Sequence, residues 1–512
     1  KLPLATFVNQ NAIEARTGNA WNATESSGDY TLRVADNGPA GQIVQGALEA
    51  STVDIGEEFT KDNVQRLTAA LCALMGEQGV ADRGLCIGYD RRFLSREAAR
   101  WASEVCAGAG VPCVVLDREA PTPLIMYTVR MQGFPYGMAV TASHNPALYN
   151  GIKVFTEGGR DATEEVTDEL ERHIGALRDT PIAVIPYDDA LANGSVREIN
   201  PLNDYIDSIL SLVDVDAIKE AGLKIALDPM YGVSRTSLQT ILLTARCEVE
   251  VIHDRHDTLF GGRLPSPTLQ TLGALSGFVV EKKCDLGIAT DGDADRIGII
   301  DDAGAFLHPN KILVLLYYYL LRYRGFSGDA VRNHSTTHLL DRVAEGYGQT
   351  CHEVPVGFKH ISARMQETDA LIGGESSGGL TVRGHIPGKD GIYAATLLVE
   401  MVAKTGKTLS EIYREITDRF GELYMVDADF TMTHDRKQEL QERLFTEKAM
   451  PDFPYAVERV SYMDGCKVYF ANGGWVVCRF SGTEPLLRTC AEMPEERDAE
   501  QCIRLWQELL GL

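Results

Sequence analysis

The chain has 512 residues, of which 44% are hydrophobic and 24% are charged, and its formal net charge is −24 at pH 7. This length exceeds what one hydrophobic core supports, so roughly three or four domains are expected. The composition is that of a soluble globular protein, and the negative charge argues against nucleic-acid and anionic-membrane partners. An anionic substrate would therefore require a local basic pocket.

The cysteine usage indicates a reducing compartment. The eleven cysteines are scattered without a CxxC pair, a pattern typical of free thiols rather than of disulfides or a zinc site. The chain begins without a basic region and long apolar core, so we predict no signal peptide. The longest apolar run, 312–321, is too short to span a bilayer and should form a core helix. We expect a cytoplasmic protein.

Three stretches of the chain repeat the same order of predicted elements. First strands are predicted at 85–90, 224–228 and 329–333, and second strands at 111–117, 247–254 and 349–356. A third strand in each stretch ends in a polar loop, at 143–145, 291–295 and 374–379. Strands that alternate with helices form mostly parallel sheets, and ligands bind beyond the carboxyl ends of such strands. We therefore expect three similar α/β/α domains with mixed or parallel sheets, whose loops meet at one central cleft.

The pattern changes beyond roughly residue 422. Short β-rich runs are predicted at 423–431, 465–470, 475–480 and 487–492, and helices at 435–448 and 495–510. This order indicates a smaller C-terminal α+β domain with an antiparallel sheet. The predicted domains are 1–195, 196–304, 305–421 and 422–512, and we assign no role to residues 1–30.

The first polar loop carries a candidate nucleophile. The apolar run 136–140 reads as a buried strand, and the Asn-Pro dipeptide at 145–146 ends regular structure. Ser143 is therefore expected at a rigid strand end beside His144, the placement that an activated serine requires. A serine that only caps the following helix would give the same pattern. The segment alone leaves both interpretations open.

The second loop carries three acidic residues at alternate positions, Asp291, Asp293 and Asp295. In an extended backbone, alternate side chains point the same way, so the three carboxylates should converge on a hard cation such as Mg²⁺. An EF-hand also begins in this way, but Arg296 takes the place of its glycine and the flanking segments look like strands. An acidic turn without an ion is the other alternative. Arg296 could steady a phosphate on the metal.

The later loops suggest sugar and phosphate binding. Glu375 and Ser377 could bind neighbouring sugar hydroxyls, although a helix cap has the same composition. Lys389 lies in a turn that could reach an anion. The last turn combines an arginine, two hydroxyls and a glycine, which are the components of a phosphate cradle. Its members are Arg479, Ser481, Gly482 and Thr483.

Together these motifs resemble the α-D-phosphohexomutases, a family that includes phosphoglucomutases and phosphomannomutases. The matching segments occur in the family's order and are 141–146 with Lys153, 291–296, 374–378 and 479–485. The resemblance extends from about residue 80 to the end of the chain. It implies three α/β domains and a smaller fourth domain around a cleft, a hexose phosphate substrate, Mg²⁺, and hexose 1,6-bisphosphate as intermediate and activator. A monomer or a homodimer is expected.

The resemblance also implies a role for each motif. Ser143 would be the phosphoserine, and the three aspartates would hold Mg²⁺ together with its phosphate. His144, Lys153 and Arg296 would surround the transferred group, with Lys153 or His144 as the acid–base residue. Glu375 and Ser377 would bind the sugar in either orientation, with Lys389 as a further substrate contact. The turn at 479–483 would hold the phosphate that does not react.

The sequence departs from the family pattern in two places. Family members carry an early arginine near the phosphoserine, whereas the corresponding region, within 33–60, reads Asp-Asn-Gly-Pro-Ala-Gly at 36–41. Gly379 stands where one branch of the family has a histidine, which raises the importance of Lys153, Lys389 and His385 as acid–base candidates.

We expect a phosphoglucomutase that also accepts mannose phosphates, because Glu375 and Ser377 would bind hydroxyls common to both sugars. The alternatives within the family are phosphoglucosamine and phosphopentose mutases. From other classes, a metal-dependent phosphatase would also use a serine and a metal, and the lost arginine makes a catalytically silent sugar-phosphate-binding homologue conceivable.

Overall fold

The computed structural model describes residues 59–178, 180–480 and 486–512, and the backbone of five short strands before them. Those strands are β1 Leu4–Phe7, β2 Glu14–Arg16, β3 Ala20–Asn22, β4 Tyr30–Arg33 and β5 Thr52–Asp54. β1 pairs with β4, β2 pairs with β3, and β5 joins the first large sheet. The segment 36–41, where the family arginine is missing, lies outside the described residues, as do Ser481, Gly482 and Thr483.

The first sheet contains six further strands with five helices around it. The strands are β6 Leu85–Tyr89, β7 Cys113–Leu116, β8 Tyr136–Val140, β9 Tyr149–Thr156, β10 Arg160–Asp161 and β11 Val196–Ile199. The helices are α1 Lys61–Glu77, α2 Ser95–Gly108, α3 Thr122–Gln132, α4 Glu164–Ala176 and α5 Tyr187–Ala192. Because β11 pairs with β7, this sheet runs slightly past the predicted boundary at 195.

The second and third sheets follow in chain order. The second has β12 Lys224–Asp228, β13 Glu248–Val251, β14 Leu286–Thr290, β15 Ile297–Ile300 and β16 Phe306–Leu307, with α6 Leu202–Leu212, α7 Val215–Ala221, α8 Ser234–Thr244 and α9 Gly273–Lys282. The third has β17 Ala330–Asn333, β18 Cys351–Val354, β19 Ile372–Gly374 and β20 Leu380–Val382, with α10 Pro309–Arg322, α11 Leu339–Gly346, α12 Phe358–Thr368, α13 Gly391–Thr405 and α14 Leu409–Phe420.

The three sheets share one topology. Their orders include β7-β6-β8-β9, β13-β12-β14-β15 and β18-β17-β19-β20. In each sheet the first three strands of the repeat are parallel and the fourth is antiparallel. The predicted repeat of α/β units is therefore confirmed. The polar loop of each unit connects the third strand to its antiparallel neighbour, so all three loops leave the carboxyl end of a central strand.

Burial explains why these segments form central strands and core helices. Every residue of β6, β8 and β14 is buried, as expected for parallel strands covered on both faces. The apolar run 312–321 lies in α10, where all of its side chains are buried, so the predicted core helix is confirmed. No helix within the described ranges is long and apolar enough to cross a membrane.

The C-terminal domain is an antiparallel sheet in the order β21-β25-β24-β23-β22. Its strands are β21 Tyr424–Thr431, β22 Val457–Ser461, β23 Cys466–Phe470, β24 Trp475–Phe480 and β25 Leu486–Met493, and its helices are α15 His434–Gln441 and α16 Glu496–Leu510. The predicted helix at 435–448 is shorter in the structure, since α15 passes into a π-helical turn at Glu442–Thr446. The edge strand β22, with its charged and largely exposed residues, escaped prediction because it lacks an apolar face.

The C-terminal domain has its own hydrophobic core, separate from the core that runs through α3 and the second and third sheets. Polar groups join the two parts. The buried Lys467 ammonium donates to the carbonyl of His334 over 2.6 Å and to Glu353 over 2.8 Å, and the Tyr469 hydroxyl also contacts Glu353. The junction between the third and fourth domains therefore includes a buried ion pair.

Asp390 is expected to contribute strongly to stability. Its carboxylate caps α13 by accepting from the amides of Ile392 and Tyr393, both over 2.9 Å. It also accepts from the Tyr205 hydroxyl over 2.7 Å and lies 2.6 Å from the His385 ring. Asp390→Ala leaves these buried groups unpaired and should cost about 3 kcal/mol or more, since each lost partner costs roughly 1–3 kcal/mol.

Calorimetric melting would test this expectation, with Tyr205→Phe as the matched control because it removes one hydrogen bond and leaves the cap intact. The control should cost about 1 kcal/mol. Equal melting temperatures for the two variants would contradict the assignment.

Candidate active-site cleft

The three predicted loops meet. The Ser143 hydroxyl donates to Asp291 Oδ2 over 2.7 Å, which joins the first loop to the second. The amide of Ile297 donates to the carbonyl of Gly378 over 3.2 Å, and Arg296 forms a β-bridge with Gly379, which joins the second loop to the third. The fold thus brings the candidate nucleophile, the acidic cluster and the candidate sugar loop into one cleft.

Ser143 lies just beyond the end of β8 in an unusual backbone conformation. Its φ is 51°, and a non-glycine residue in this left-handed region carries a strain of roughly 1–2 kcal/mol. Its amide donates to Thr141 Oγ1 over 2.8 Å, and that hydroxyl donates to Asp90 over 2.7 Å. The ring of His144 lies 3.4 Å from Ser143 Oγ. The hydroxyl is therefore presented between a carboxylate and an imidazole.

The charges around His144 favour its neutral form. The nearby Arg296 cation, and burial of the ring, hold the pKa of His144 well below its usual value. The Nε atom of Arg296 is itself buried without a hydrogen-bond partner and lies 3.9 Å from Asp295 Oδ1. A neutral imidazole thus lies beside the serine hydroxyl, with the Arg296 cation near the ring.

Asp291, Asp293 and Asp295 converge as predicted, but for a different reason. All three are buried, and one oxygen from each lies within 4.8 Å of the others. The backbone is not extended at this point: residues 292–293 form a turn and 294–295 a bend, and Ala294 has a φ of 63°. The prediction from strand periodicity was therefore wrong in its geometry, since a tight turn rather than a pleat gathers the carboxylates.

The aspartate cluster fits a bound Mg²⁺ ion. Burial and repulsion from Asp295 and Asp293 raise the pKa of Asp291 well above its usual value. The Oδ1 atoms of Asp293 and Asp295 are buried without a hydrogen-bond partner. Buried carboxylate oxygens are unfavourable unless paired or coordinated to a metal, and Mg²⁺ prefers such oxygen donors. These unpartnered oxygens are the observation that supports a metal site.

Two lysines balance part of the acidic charge. Lys153 Nζ lies 2.7 Å from Asp293 and 2.8 Å from Asp295, and Lys389 Nζ lies 3.1 Å from Asp295. Burial would lower the pKa of Lys153, but the attraction of Asp293 and Asp295 outweighs it and raises that pKa. Burial would also lower the pKa of Lys389, and the attraction of Asp295 raises it instead. Lys389 is predicted from the sequence as a substrate contact. In the structure it also neutralises part of the negative charge of the acidic loop.

The sugar-loop candidates lie where the third sheet ends. Glu375 follows β19 and accepts from the Asn333 side chain over 3.1 Å and from the amide of Gly357 over 3.4 Å. The Ser377 hydroxyl lies 3.4 Å from the other carboxylate oxygen of Glu375. The carboxylate is thus oriented by groups from two other segments, while Ser377 lies beside it. Binding of a sugar by this pair stays a prediction.

The C-terminal candidates are only partly described. Arg479, near the end of β24, pairs with Asp464 over 2.8 Å, and Asp464 accepts from the amide of Val356 over 2.9 Å. Arg479 is therefore connected to the loop that leads to Gly357 and the sugar-loop carboxylate. Ser481, Gly482 and Thr483 lie outside the described residues, so their role in a phosphate cradle stays a prediction.

His385 differs from the other acid–base candidates. Its ring is buried and lies 2.6 Å from Asp390, which caps α13. The ring therefore engages a structural carboxylate, and the tight pair fixes the turn that carries Lys389. His385, Lys153 and Lys389 are predicted together as acid–base candidates, but of these three only the two lysine ammonium groups reach the acidic loop.

Several residues that hold the loops and domains together were not predicted from the sequence. Asp90 directly follows β6, and Asn333 is the last residue of β17. Both lie at strand carboxyl ends, where ligands bind, so this rule could have identified them. Thr122 donates to Asp293 over 2.7 Å from the start of α3, and Lys359 pairs with Glu164 over 3.1 Å between the third and first domains. These two contacts have no local sequence signal, because both partners are distant along the chain.

Sequence comparison finds all four domains of one family in this chain. Models of phosphoglucomutase/phosphomannomutase α/β/α domains I, II and III match residues 52–180, 203–304 and 308–420, and a model of the C-terminal domain matches 444–504. The described cleft is built from loops in the first three of these ranges, with Arg479 in the fourth.

Individual proteins that are similar to this chain carry the names of enzymes of the same family. A phosphoglucomutase/phosphomannomutase of Thermococcus kodakarensis is 29% identical over 464 residues, which cover 89% of this chain and 95% of the relative. A probable phosphoglucosamine mutase of Methanothermobacter thermautotrophicus is 30% identical over 450 residues, covering 87% and 92%. The crystal structure of a Thermus thermophilus protein, described as a phosphomannomutase, is 28% identical and superimposes with a TM-score of 0.78 over 92% of this chain and 99% of that one. The chain belongs to the phosphoglucomutase/phosphomannomutase family of phosphate-transferring isomerases.

Proposed function

We propose that this enzyme interconverts hexose 1-phosphates and hexose 6-phosphates, with glucose and mannose as the sugars, through a phosphoserine at Ser143. The observation that carries the proposal is the contact of 2.7 Å between Ser143 Oγ and Asp291 within the buried aspartate cluster. A hydroxyl held against a metal-binding carboxylate can carry a phosphoryl group whose charge the ion neutralises.

Phosphoryl transfer then proceeds in two mirrored steps. In the first, a sugar hydroxyl attacks the phosphorus of phosphoserine, the bond from phosphorus to Ser143 Oγ breaks, and a hexose 1,6-bisphosphate forms. The proton of the attacking hydroxyl ends on the departing Ser143 oxygen, which becomes a serine hydroxyl again, and His144, 3.4 Å from Ser143 Oγ, is positioned to relay it. Lys153, with its two ion pairs to Asp293 and Asp295, supplies fixed positive charge. In the second step the other phosphate returns to Ser143.

A bound Mg²⁺ would withdraw electrons from the phosphoryl oxygens and neutralise the charge that develops on them. Asp291, Asp293 and Asp295 would hold this ion, and Arg296 would contact the same phosphate. Most of the rate enhancement in such transfers comes from positioning and charge stabilisation. The cations that line the acidic loop fit this requirement within a protein whose overall charge is strongly negative.

The intermediate must turn end over end, so both ends of the sugar need equivalent binding. Glu375 and Ser377 would bind the central hydroxyls in either orientation. Arg479, with Ser481, Gly482 and Thr483, would hold the phosphate that is not reacting. Arg479 contacts Asp464, which in turn contacts the segment before Gly357. These contacts support a link between the site for the unreacting phosphate and the sugar-binding site.

A phosphoglucosamine mutase is the second candidate. The relative from Methanothermobacter thermautotrophicus carries that name at 30% identity, and the amino sugar shares the hydroxyls that Glu375 and Ser377 would bind. We further propose a cytoplasmic monomer or homodimer, with domains divided near residues 195, 304 and 422.

The first test of the proposed function concerns the reaction itself. With Mg²⁺ and a trace of glucose 1,6-bisphosphate, the protein should convert glucose 1-phosphate to glucose 6-phosphate, followed through a coupled dehydrogenase. Mannose and glucosamine 1-phosphates, tested in parallel, would rank the sugars. Release of inorganic phosphate instead of product would favour a phosphatase. Ser143→Ala should abolish both turnover and phosphoenzyme formation, and a full rate in that variant would exclude Ser143 as the nucleophile.

The second prediction concerns the distal phosphate. Arg479→Ala should raise KM about 10-fold to 100-fold, because a charge-assisted hydrogen bond contributes roughly 1.5–3 kcal/mol. Arg497→Ala is the matched control, since its side chain is 82% exposed on α16 and should leave KM unchanged. An unchanged KM in Arg479→Ala would remove Arg479 from the substrate site.

The third prediction concerns the contact between the first and second loops. A Cβ at Gly292 would lie 2.6 Å from the carbonyl oxygen of Ser143, so Gly292→Ala must displace the nucleophile or the aspartates. A displacement of about 1 Å can cost roughly 100-fold in rate, and we expect a fall in kcat of that order. Gly277→Ala in α9, where a Cβ would meet nothing within 4 Å, is the control. Equal kcat values would show that the two loops tolerate separation.

A further inference from the structure

The buried side chain of Arg92 holds the loop that carries Ser143. One guanidinium nitrogen donates to the carbonyls of Ser143 over 2.6 Å and Asn145 over 2.7 Å. The other donates to the carbonyls of Pro146 over 2.8 Å and Tyr149 over 3.1 Å. Four carbonyls from one loop thus converge on a single side chain, and the hydrogens of both terminal nitrogens are used.

The guanidinium is fixed from its other sides as well. Its Nε lies 3.3 Å from Asp90, the same carboxylate that accepts from Thr141 in front of the serine. The ring of Phe260, which is buried, lies 4.9 Å from the guanidinium carbon. A Cβ at Gly292 would meet both the Ser143 carbonyl and the Phe260 ring. Arg92 therefore lies where the serine loop, the acidic loop and a segment of the second domain meet.

This arrangement accounts for the backbone conformation of Ser143. The loop bends so that its carbonyls face inward, and buried carbonyls need donors. A lysine could not replace the arginine fully, because an ammonium has three donors and no planar fork. Because all hydrogens of its terminal nitrogens are taken by the loop, Arg92 cannot also bind a phosphoryl group from its present position. Its hydrogen bonds therefore act on the chemistry through the loop.

We propose that Arg92 is a positioning residue for phosphoryl transfer, which holds the loop 143–149 so that Ser143 Oγ faces the aspartate cluster. The proposal rests on the proposed role of Ser143 as the phosphoserine. It also places a buried cation directly behind the serine, in a chain whose region 33–60 lacks the arginine segment that its family carries there. Burial lowers the pKa of Arg92, and the negative charges of Asp90, Asp293 and Asp291 oppose this lowering.

The test compares Arg92→Lys and Arg92→Met with Arg96→Met, an exposed arginine on the neighbouring helix α2. Each variant is incubated with labelled glucose 1,6-bisphosphate to count phosphorylated sites, and kcat is expressed per phosphorylated serine. We expect kcat per site to fall about 100-fold in Arg92→Met, as for a displaced reacting group, with KM changed less than about 3-fold. Arg92→Lys should retain more activity than Arg92→Met, and Arg96→Met should match the wild type.

Hydrogen exchange of the 143–149 amides gives a readout that does not depend on activity. Exchange in this loop should accelerate in Arg92→Met and not in Arg96→Met. If Arg92→Met does not fold, Phe260→Leu removes only the ring that covers the guanidinium and should show the same changes in smaller degree. A wild-type kcat per phosphorylated site and unchanged loop exchange would overturn the proposal. Absence of phosphoryl transfer in the wild type would instead overturn the proposed function, while the exchange experiment would still test the hold on the loop.

Discussion

The burial of three carboxylates in one tight turn is the constraint on which the rest of the cleft depends. Removing a charge from water costs several kcal/mol per ion even after relaxation, so Asp291, Asp293 and Asp295 require positive partners. Those partners come from different parts of the chain: Lys153 from β9 of the first sheet, and Lys389 from the turn before α13. The electrostatic requirement of the second loop therefore draws the first and third units together around it.

The repeated topology makes this assembly possible. Each sheet places its third strand at the centre, so the loop that follows emerges over the middle of the domain rather than at an edge. Three such loops can meet only if their domains pack with their strand ends facing one point. The backbone bonds between the loops, including the bridge from Arg296 to Gly379, show that the contact is made by main chain as well as by charge. A substitution at Gly379 that adds bulk without changing the charge would therefore still separate the loops.

The fold and much of the site followed from local patterns. Buried parallel strands such as β14 read as short apolar runs, and polar loops after them were recognisable because strand ends collect ligand-binding groups. The edge strand β22, which has no apolar face, could not be found in this way. Arg92 was missed because nothing nearby in sequence distinguishes it from Arg91. Its function depends on four carbonyls more than fifty positions away, and such contacts are created by folding alone.

The separate core of the C-terminal domain has a mechanical consequence. Its attachment includes directional polar contacts, among them Lys467 with Glu353 and Asp464 with Val356, and such bonds can be exchanged for water without exposing the domain's own core. The position of the C-terminal domain against the third domain therefore depends in part on directional bonds, whereas the fold of the C-terminal domain depends on its own apolar core.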